Sequence, residues 1–315
     1  MTMAYRLGID IGGTKIAIGL VDDDGEIVHQ GKFATGETIR SYDEAVPGLG
    51  GLIRSFCEHL GLEAAQIRSI GIGIPGVIDY SVQTITSCPN LSALDNLALG
   101  PCLTEELKIP VWVENDVNLI ALGEYHYGRG QGCSDAAYIF VGTGIGCGLI
   151  LNKDLYAGSN GTAGEFGHMT IVPDGLQCGC GNRGCLEMYC SGKALTLKAQ
   201  EAAVAHSRGW SSAYELIQAG REGDPVALPI LEESFRYLGM GIANLVNLLN
   251  PAMVVLGGGI LTGWPAGLQT VQDVLRSSLR EIFWRHLQIE YPLLGEKAGL
   301  LGAAVYARSK EAGWS

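Results

Sequence analysis

At 315 residues the chain is long enough for two domains, and 47% hydrophobic with 17% charged residues describes a globular protein rather than a disordered one. A formal net charge of −12, with no run of Lys or Arg to offset it, repels a phosphate backbone and argues against a nucleic-acid partner. Apolar stretches are broken well short of the roughly 18 residues a bilayer span requires, and residues 1–6 run into a strand-like segment without a signal-peptide pattern. A cytoplasmic protein with no membrane partner is expected.

In chain order, residues 7–21 predict two strands around a glycine turn, Gly12-Gly13-Thr14-Lys15. A turn at Asp22-Asp23-Asp24-Gly25 leads to a third strand near residues 26–33, and residues 43–60 read as a helix. Residues 70–74 form a short apolar strand closed by Pro75-Gly76, and residues 111–113 a buried strand followed by a helix over about 117–127. The opening pattern then returns: an apolar strand at 138–141, the turn Gly142-Thr143-Gly144, and a second strand from Ile145. Either two lobes share one plan, or two glycine hairpins resemble each other by chance. Residues 235–249 carry apolar residues at helical spacing, a core stripe that Asn250-Pro251 stops. One more buried strand, 253–256, ends in Gly257-Gly258-Gly259. The 46 glycines are expected mainly in such turns after apolar runs. The expected division is a smaller lobe over 1–115, with 299–315 packing back on it, and a larger lobe over 116–298, with a hinge near Asn115.

Three glycine turns that follow strands let backbone N–H groups approach phosphate oxygens, and the hydroxyls of Thr14 and Thr143 add donors. Ligands of open α/β sheets collect beyond the carboxyl ends of strands, where these turns lie. No G-x-x-x-x-G-K-[ST] occurs, and Gly142-Thr-Gly-Ile-Gly has the wrong spacing for a dinucleotide fingerprint. Asp10 is either a Mg²⁺ ligand at the phosphates or a turn cap. Glu114-Asn115-Asp116-Val117-Asn118 puts an acidic and polar cluster directly after a buried strand, which costs free energy unless it serves a site. Asp116 could take a proton from an attacking hydroxyl or cap the following helix; Asn115 could hold a neighbouring hydroxyl.

Nine cysteines are present. Cys57, Cys88, Cys102, Cys133, Cys147 and Cys190 are scattered among apolar neighbours and read as reduced core thiols. The other three bunch with a histidine: His168, then Cys178-x-Cys180-x₄-Cys185, a closed tetrahedral N/S set for a structural zinc over 168–185. Glu165 and Glu187 flank it and could accept hydrogen bonds from sugar hydroxyls, as could the second nitrogen of His168.

These motifs, in this order, resemble the ROK family (repressors, open reading frames and kinases). The carrying residues are Asp10-Ile-Gly-Gly-Thr-Lys15, Glu114 to Asn118, Gly142 to Gly146, Gly164-Glu-Phe-Gly-His168, Cys178 to Cys185 and Leu256-Gly-Gly-Gly259, spread over nearly the whole chain. The resemblance implies a two-lobed, actin-like (hexokinase/Hsp70-type) α/β ATPase fold with an inserted zinc knuckle, and ATP, Mg²⁺ and a hexose as ligands. It implies Asp116 as general base on the sugar 6-hydroxyl, and Gly76, Asn90, Asn115, Glu165, His168 and Glu187 as sugar contacts. Asp10, Gly12, Gly13, Thr14, Lys15, Gly142, Thr143, Gly144, Gly257 and Gly258 would hold the nucleotide, and His168, Cys178, Cys180 and Cys185 the zinc. Within the family the likeness is to bacterial glucokinases, in residues 172–178 and 297–304. Ser92-Ala93-Leu94 stands where many of them place a tryptophan, so N-acetylglucosamine, N-acetylmannosamine and allose stay open beside glucose. A homodimer or homotetramer is implied too. A sugar-responsive regulator of the same family would need a DNA-binding segment ahead of the first strand, and an Hsp70-like module would have no use for the knuckle and its glutamates.

Overall fold

The computed structural model describes residues 4–311. They form two compact units: residues up to Gly132, Gly148–Ala163 and those from Pro292 onward make the first, Cys133–Cys147 and Gly164–Tyr291 the second. The first unit thus runs past Asn115, where the sequence had suggested the division, and keeps the helix that follows.

The first sheet and a small ribbon beside it comprise β1 (Tyr5–Ile11), β2 (Lys15–Val21), β3 (Ile27–Ala34), β4 (Ile67–Ile74), β5 (Val77–Asp79), β6 (Thr84–Ser87) and β7 (Val111–Asn115). The sheet order is β3-β2-β1-β4-β7, with β5 and β6 pairing as a separate ribbon. β1, β2 and β3 are an antiparallel meander, whereas β4 runs parallel to β1 and β7 parallel to β4. Register puts Ile18, Ile9, Ile72 and Val113 in one row across four strands. β1 and β4 are buried at most positions because both faces are covered. The helices Tyr42–His59 and Leu99–Leu107 supply Leu49, Ile53, Phe56 and Leu103 to the core on that sheet. Helices Asp116–Tyr127 and Lys297–Glu311 pack against each other, and the second also lies on β1 and β4.

Much of the glycine excess sits inside these elements rather than in turns, which corrects the expectation. A Cβ at Gly8 or Gly71 in the sheet would lie 1.9 or 2.0 Å from a carbonyl oxygen of helix Lys297–Glu311. One at Gly302 of that helix would lie 1.7 Å from the carbonyl of Leu119. The helix is seated backbone to backbone, and only glycine leaves the room.

The remaining strands are β8 (Ala136–Val141), β9 (Ile145–Leu151), β10 (Asp154–Leu155), β11 (Met253–Gly257) and β12 (Gln288–Glu290), ordered β10-β9-β8-β11-β12. β8 and β9 are joined by the tight turn Gly142–Gly144, β10 folds back antiparallel on β9, and β11 runs parallel to both β8 and β12. Each sheet therefore has a three-strand meander on one side and two added parallel strands on the other. The repeat suspected in the sequence is a repeat of topology, and the α/β fold is the two-lobed ATPase architecture expected. Helices Gly192–His206, Ala213–Arg221, Ala227–Leu249 and Gly267–Ser278 pack on one another, the third ending at Asn250 in the left-handed region as its sequence predicts.

Candidate active site

In the first unit, β7 ends at Asn115 and a helix starts at Asp116. Asn115 is the N-cap: its Oδ1 accepts from the N–H of Val117 at 2.9 Å and of Asn118 at 3.2 Å, and its Nδ2 donates to the Gly76 carbonyl at 3.2 Å. Asp116 is therefore not the cap, which settles one of the two alternatives its sequence allowed. Its Oδ1 accepts from the Val117 N–H at 2.9 Å. Burial, and next the charge of Asp10, push its carboxyl up to about 7.

Asp10 stands one residue before the end of β1, and its own carboxyl is raised, chiefly by burial and further by Glu296, against the lowering effect of Lys15. A Cβ at Gly73, on β4 between them, would sit 3.5 Å from the Asp116 Cα and 3.7 Å from the Ile9 carbonyl, so the ends of β1 and β4 converge on Asp116. The Gly12–Lys15 turn is closed by the Gly12 N–H on the Lys15 carbonyl at 2.9 Å and braced by the Thr35 hydroxyl on the Gly12 carbonyl at 2.7 Å. Gly13 and Thr14 are exposed at its tip, with Asn90 3.5 Å from where a Gly13 Cβ would be. Gly76 is buried, and a side chain there would meet the Ser87 carbonyl at 2.6 Å. Asp10, Gly12, Gly13, Thr14, Gly76, Asn90, Asn115 and Asp116 thus gather at one end of the first sheet. Lys15 lies near enough to Asp10 to oppose the rise of its carboxyl, and its ammonium pairs with Glu296 at 2.7 Å, as does that of Lys32 at 2.5 Å.

One residue beside this group escaped assignment. Glu114 is 1% exposed. Its Oε1 accepts from the Asn115 N–H at 2.7 Å and Asn118 Nδ2 at 3.0 Å, and its Oε2 from the Tyr80 hydroxyl. Tyr306 bonds it as well, so four donors oppose the upward push of burial on its pKa. The sequence flagged the pentapeptide but could not show Tyr80 and Tyr306, which belong to other elements.

In the second unit the Gly142–Gly144 turn is held by the Gly142 N–H on the Gly144 carbonyl at 2.9 Å. Glu187 Oε2 accepts the Ile145 N–H at 2.9 Å, so this carboxylate braces the turn. Gly258 has φ +99°, and a Cβ there would lie 2.3 Å from the Val141 carbonyl, which ties the turn after β11 to the one after β8. Gly142, Thr143, Lys193, Tyr214 and Gly259 line a groove of about 550 Å³. Lys193 carries no local motif; it reaches the groove because its N–H bonds the Thr143 carbonyl at 3.1 Å as helix Gly192–His206 begins.

The ligand atoms of His168, Cys178, Cys180 and Cys185 lie within 4.8 Å of one another. Cys178 Sγ is 3.6 Å from His168 Nδ1, and Cys180 Sγ 3.6 Å from Cys185 Sγ. Tetrahedral zinc with Zn–S of about 2.3 Å and Zn–N of about 2.0 Å puts its ligands about 3.5–3.8 Å apart, so the four fit that ion without moving far. The separation of the Cys180 and Cys185 sulfurs is far longer than an S–S bond, and all three cysteines of the cluster are free. With Nδ1 on the cluster, Nε2 of His168 faces Glu165 Oε2 at 3.7 Å, the arrangement in which a carboxylate orients a ligating imidazole. Of the six scattered cysteines, four are buried and Cys102 and Cys133 half-buried, all as thiols.

The sequence matches the ROK family over residues 6–310. It is 35% identical to a glucokinase of Streptomyces coelicolor over 98% of this chain and 99% of that protein. A xylose repressor of Caldicellulosiruptor bescii is 33% identical over 94% of this chain and 76% of its own length. The crystal structure of a ROK family glucokinase from Streptomyces griseus, in complex with glucose and AMPPNP, superposes with a TM-score of 0.76 at 36% identity, covering 97% of this chain and 100% of that one. Motif order, paired sheet topology and these similarities agree: the chain belongs to the ROK family.

Proposed function

We propose that the protein is an ATP-dependent kinase that transfers the γ-phosphoryl group of ATP to the 6-hydroxyl of a hexose, with glucose as that hexose. The observation that carries this is the Asp116 carboxyl, raised to about 7 at a strand-to-helix junction beside Asp10 and the first glycine turn. A general base is most effective when its pKa lies near the working pH. Asp116 accepts the hydroxyl proton as the sugar oxygen bonds to phosphorus, and the bond from phosphorus to the bridging oxygen of ADP breaks. In the first unit Asn115, Gly76 and Asn90 are assigned to sugar hydroxyls; in the second unit Glu165, His168 and Glu187 are. The turns at Gly12–Thr14, Gly142–Gly144 and Gly257–Gly258 direct N–H groups at phosphate oxygens.

Asp10 fits a hydrated Mg²⁺: it is a buried oxygen donor whose charge, unbalanced, burdens Asp116. A cation held there by Asp10 would supply charge neutralisation at the ATP phosphates. His168, Cys178, Cys180 and Cys185 would hold zinc in a closed set, whose contribution is structural.

The likeness to glucokinases, one of them crystallised with glucose, supports glucose over N-acetylglucosamine, N-acetylmannosamine and allose. The likeness to a xylose repressor supports a second reading, a sugar-responsive regulator without catalysis. Release of ADP from MgATP, measured with glucose, N-acetylglucosamine, N-acetylmannosamine, allose, mannose and fructose, separates them. Glucose is expected to raise release far above the sugar-free rate, with glucose 6-phosphate as product. A different best sugar overturns glucose alone; sugar binding with no ADP release from any of the six favours the regulator.

A further inference from the structure

Asp116 must be held at a fixed place for in-line transfer, yet its own helix bond does not set the path of the chain entering it. β7 is the outer strand of its sheet, so the Asn115 N–H needs a partner from elsewhere. Glu114 provides it, and its Oε1 also takes the Asn118 side chain, so one carboxylate oxygen brackets Asp116 from both sides in sequence. The other oxygen takes Tyr80, which follows the β5–β6 ribbon's first strand, and Tyr306 of helix Lys297–Glu311 also bonds this carboxylate. A carboxylate 1% exposed is costly to bury and is tolerated here because every donor around it is satisfied by it. Among the described residues, no buried side-chain N or O atom lacks a partner, so this knot is fully paired.

We propose that Glu114 is a positioning residue: it locks the β7-to-helix junction against the ribbon and the C-terminal helix, and thereby fixes where Asp116 presents its carboxylate. The proposal rests on the kinase reading and assigns Glu114 no proton transfer. A glutamine can keep the geometry, with its carbonyl oxygen on Asn115 N–H and Asn118 Nδ2 while its amide donates to the tyrosine oxygens, which can accept. An alanine cannot.

The test is steady-state kinetics with MgATP and the sugar that stimulates native ADP release, alongside zinc content and thermal melting. Misplacing a reacting group by about 1 Å costs about 10²-fold in rate. Glu114→Ala is expected to lose about that much kcat, with both KM values within about three-fold, and Glu114→Gln to recover at least about ten-fold of the loss. Asn118→Ala, which leaves Glu114 in place, is expected to lose about ten-fold in kcat at unchanged KM and decides the matter if Glu114→Ala does not fold. Equal losses in the Ala and Gln variants would overturn positioning in favour of a role for the charge. A raised KM at native kcat, or native kcat in Asn118→Ala, would overturn it too. A native enzyme that releases no ADP with any sugar would instead refute the reading beneath it, and the two failures are told apart by that control.

Discussion

Two neighbouring residues divide the work at the strand-to-helix junction. Asn115 spends its carbonyl oxygen on the helix N–H groups and its amide on Gly76, so the carboxylate of Asp116 is left for chemistry. From the pentapeptide alone Asp116 could be base or cap and Asn115 had no capping role; the outcome depended on which side chain the strand's last peptide aims at the helix. The raised Asp116 pKa has a thermodynamic consequence. Folded, the group titrates near 7, whereas unfolded it returns to the ordinary carboxylate range. The native state then holds more protons than the unfolded one between about pH 4 and 7, so stability falls as pH rises through that window. Asp116→Asn removes this penalty. It is expected to raise the Tm of ligand-free protein at pH 8, by an amount equivalent to about 1–4 kcal/mol, and to change it little at pH 4. Equal shifts at both pH values in calorimetry would show that Asp116 is not held at a raised pKa.

Among the elements, the knuckle was the most legible. The spacing of His168, Cys178, Cys180 and Cys185 gave the ligand set directly, because four donors of that kind have few other uses so close in sequence. The loop takes its shape from Gly184, at φ +74° with the Val172 carbonyl 1.7 Å from where a Cβ would be, and from the Cys178 N–H on the Asn182 carbonyl at 2.8 Å. Cys185 is fully buried, so its loss cannot be replaced by solvent. The purified protein is expected to carry about one zinc per chain, and Cys185→Ser to lose most of it with a rise in sugar KM, since the loop bearing Glu165 and Glu187 loosens. Metal analysis finding no zinc in folded, active enzyme would contradict the site. The β5–β6 ribbon was not legible: strands of three and four residues are too short to show alternation. That gap hid Tyr80, and with it the role of Glu114.

At the scale of the whole molecule, the echo between the two glycine hairpins announced two sheets of one plan, because each begins with a meander whose first turn carries glycine and threonine. The unit boundaries were less accessible. Helix Lys297–Glu311 joins the first unit through glycines at 8, 71 and 302 that permit backbone contact, a fit between segments hundreds of residues apart that no local pattern carries. The ion pair of Lys15 with Glu296 was hidden for a related reason, since Glu296 arrives from the far end of the chain. The account as a whole stands on Asp116 as the group that takes the sugar's proton. Its most direct test is turnover by Asp116→Asn under saturating MgATP and sugar, with ATP affinity measured in parallel. A fall in kcat of about 10³-fold or more with ATP binding intact is expected; a variant within about ten-fold of native turnover would contradict the account.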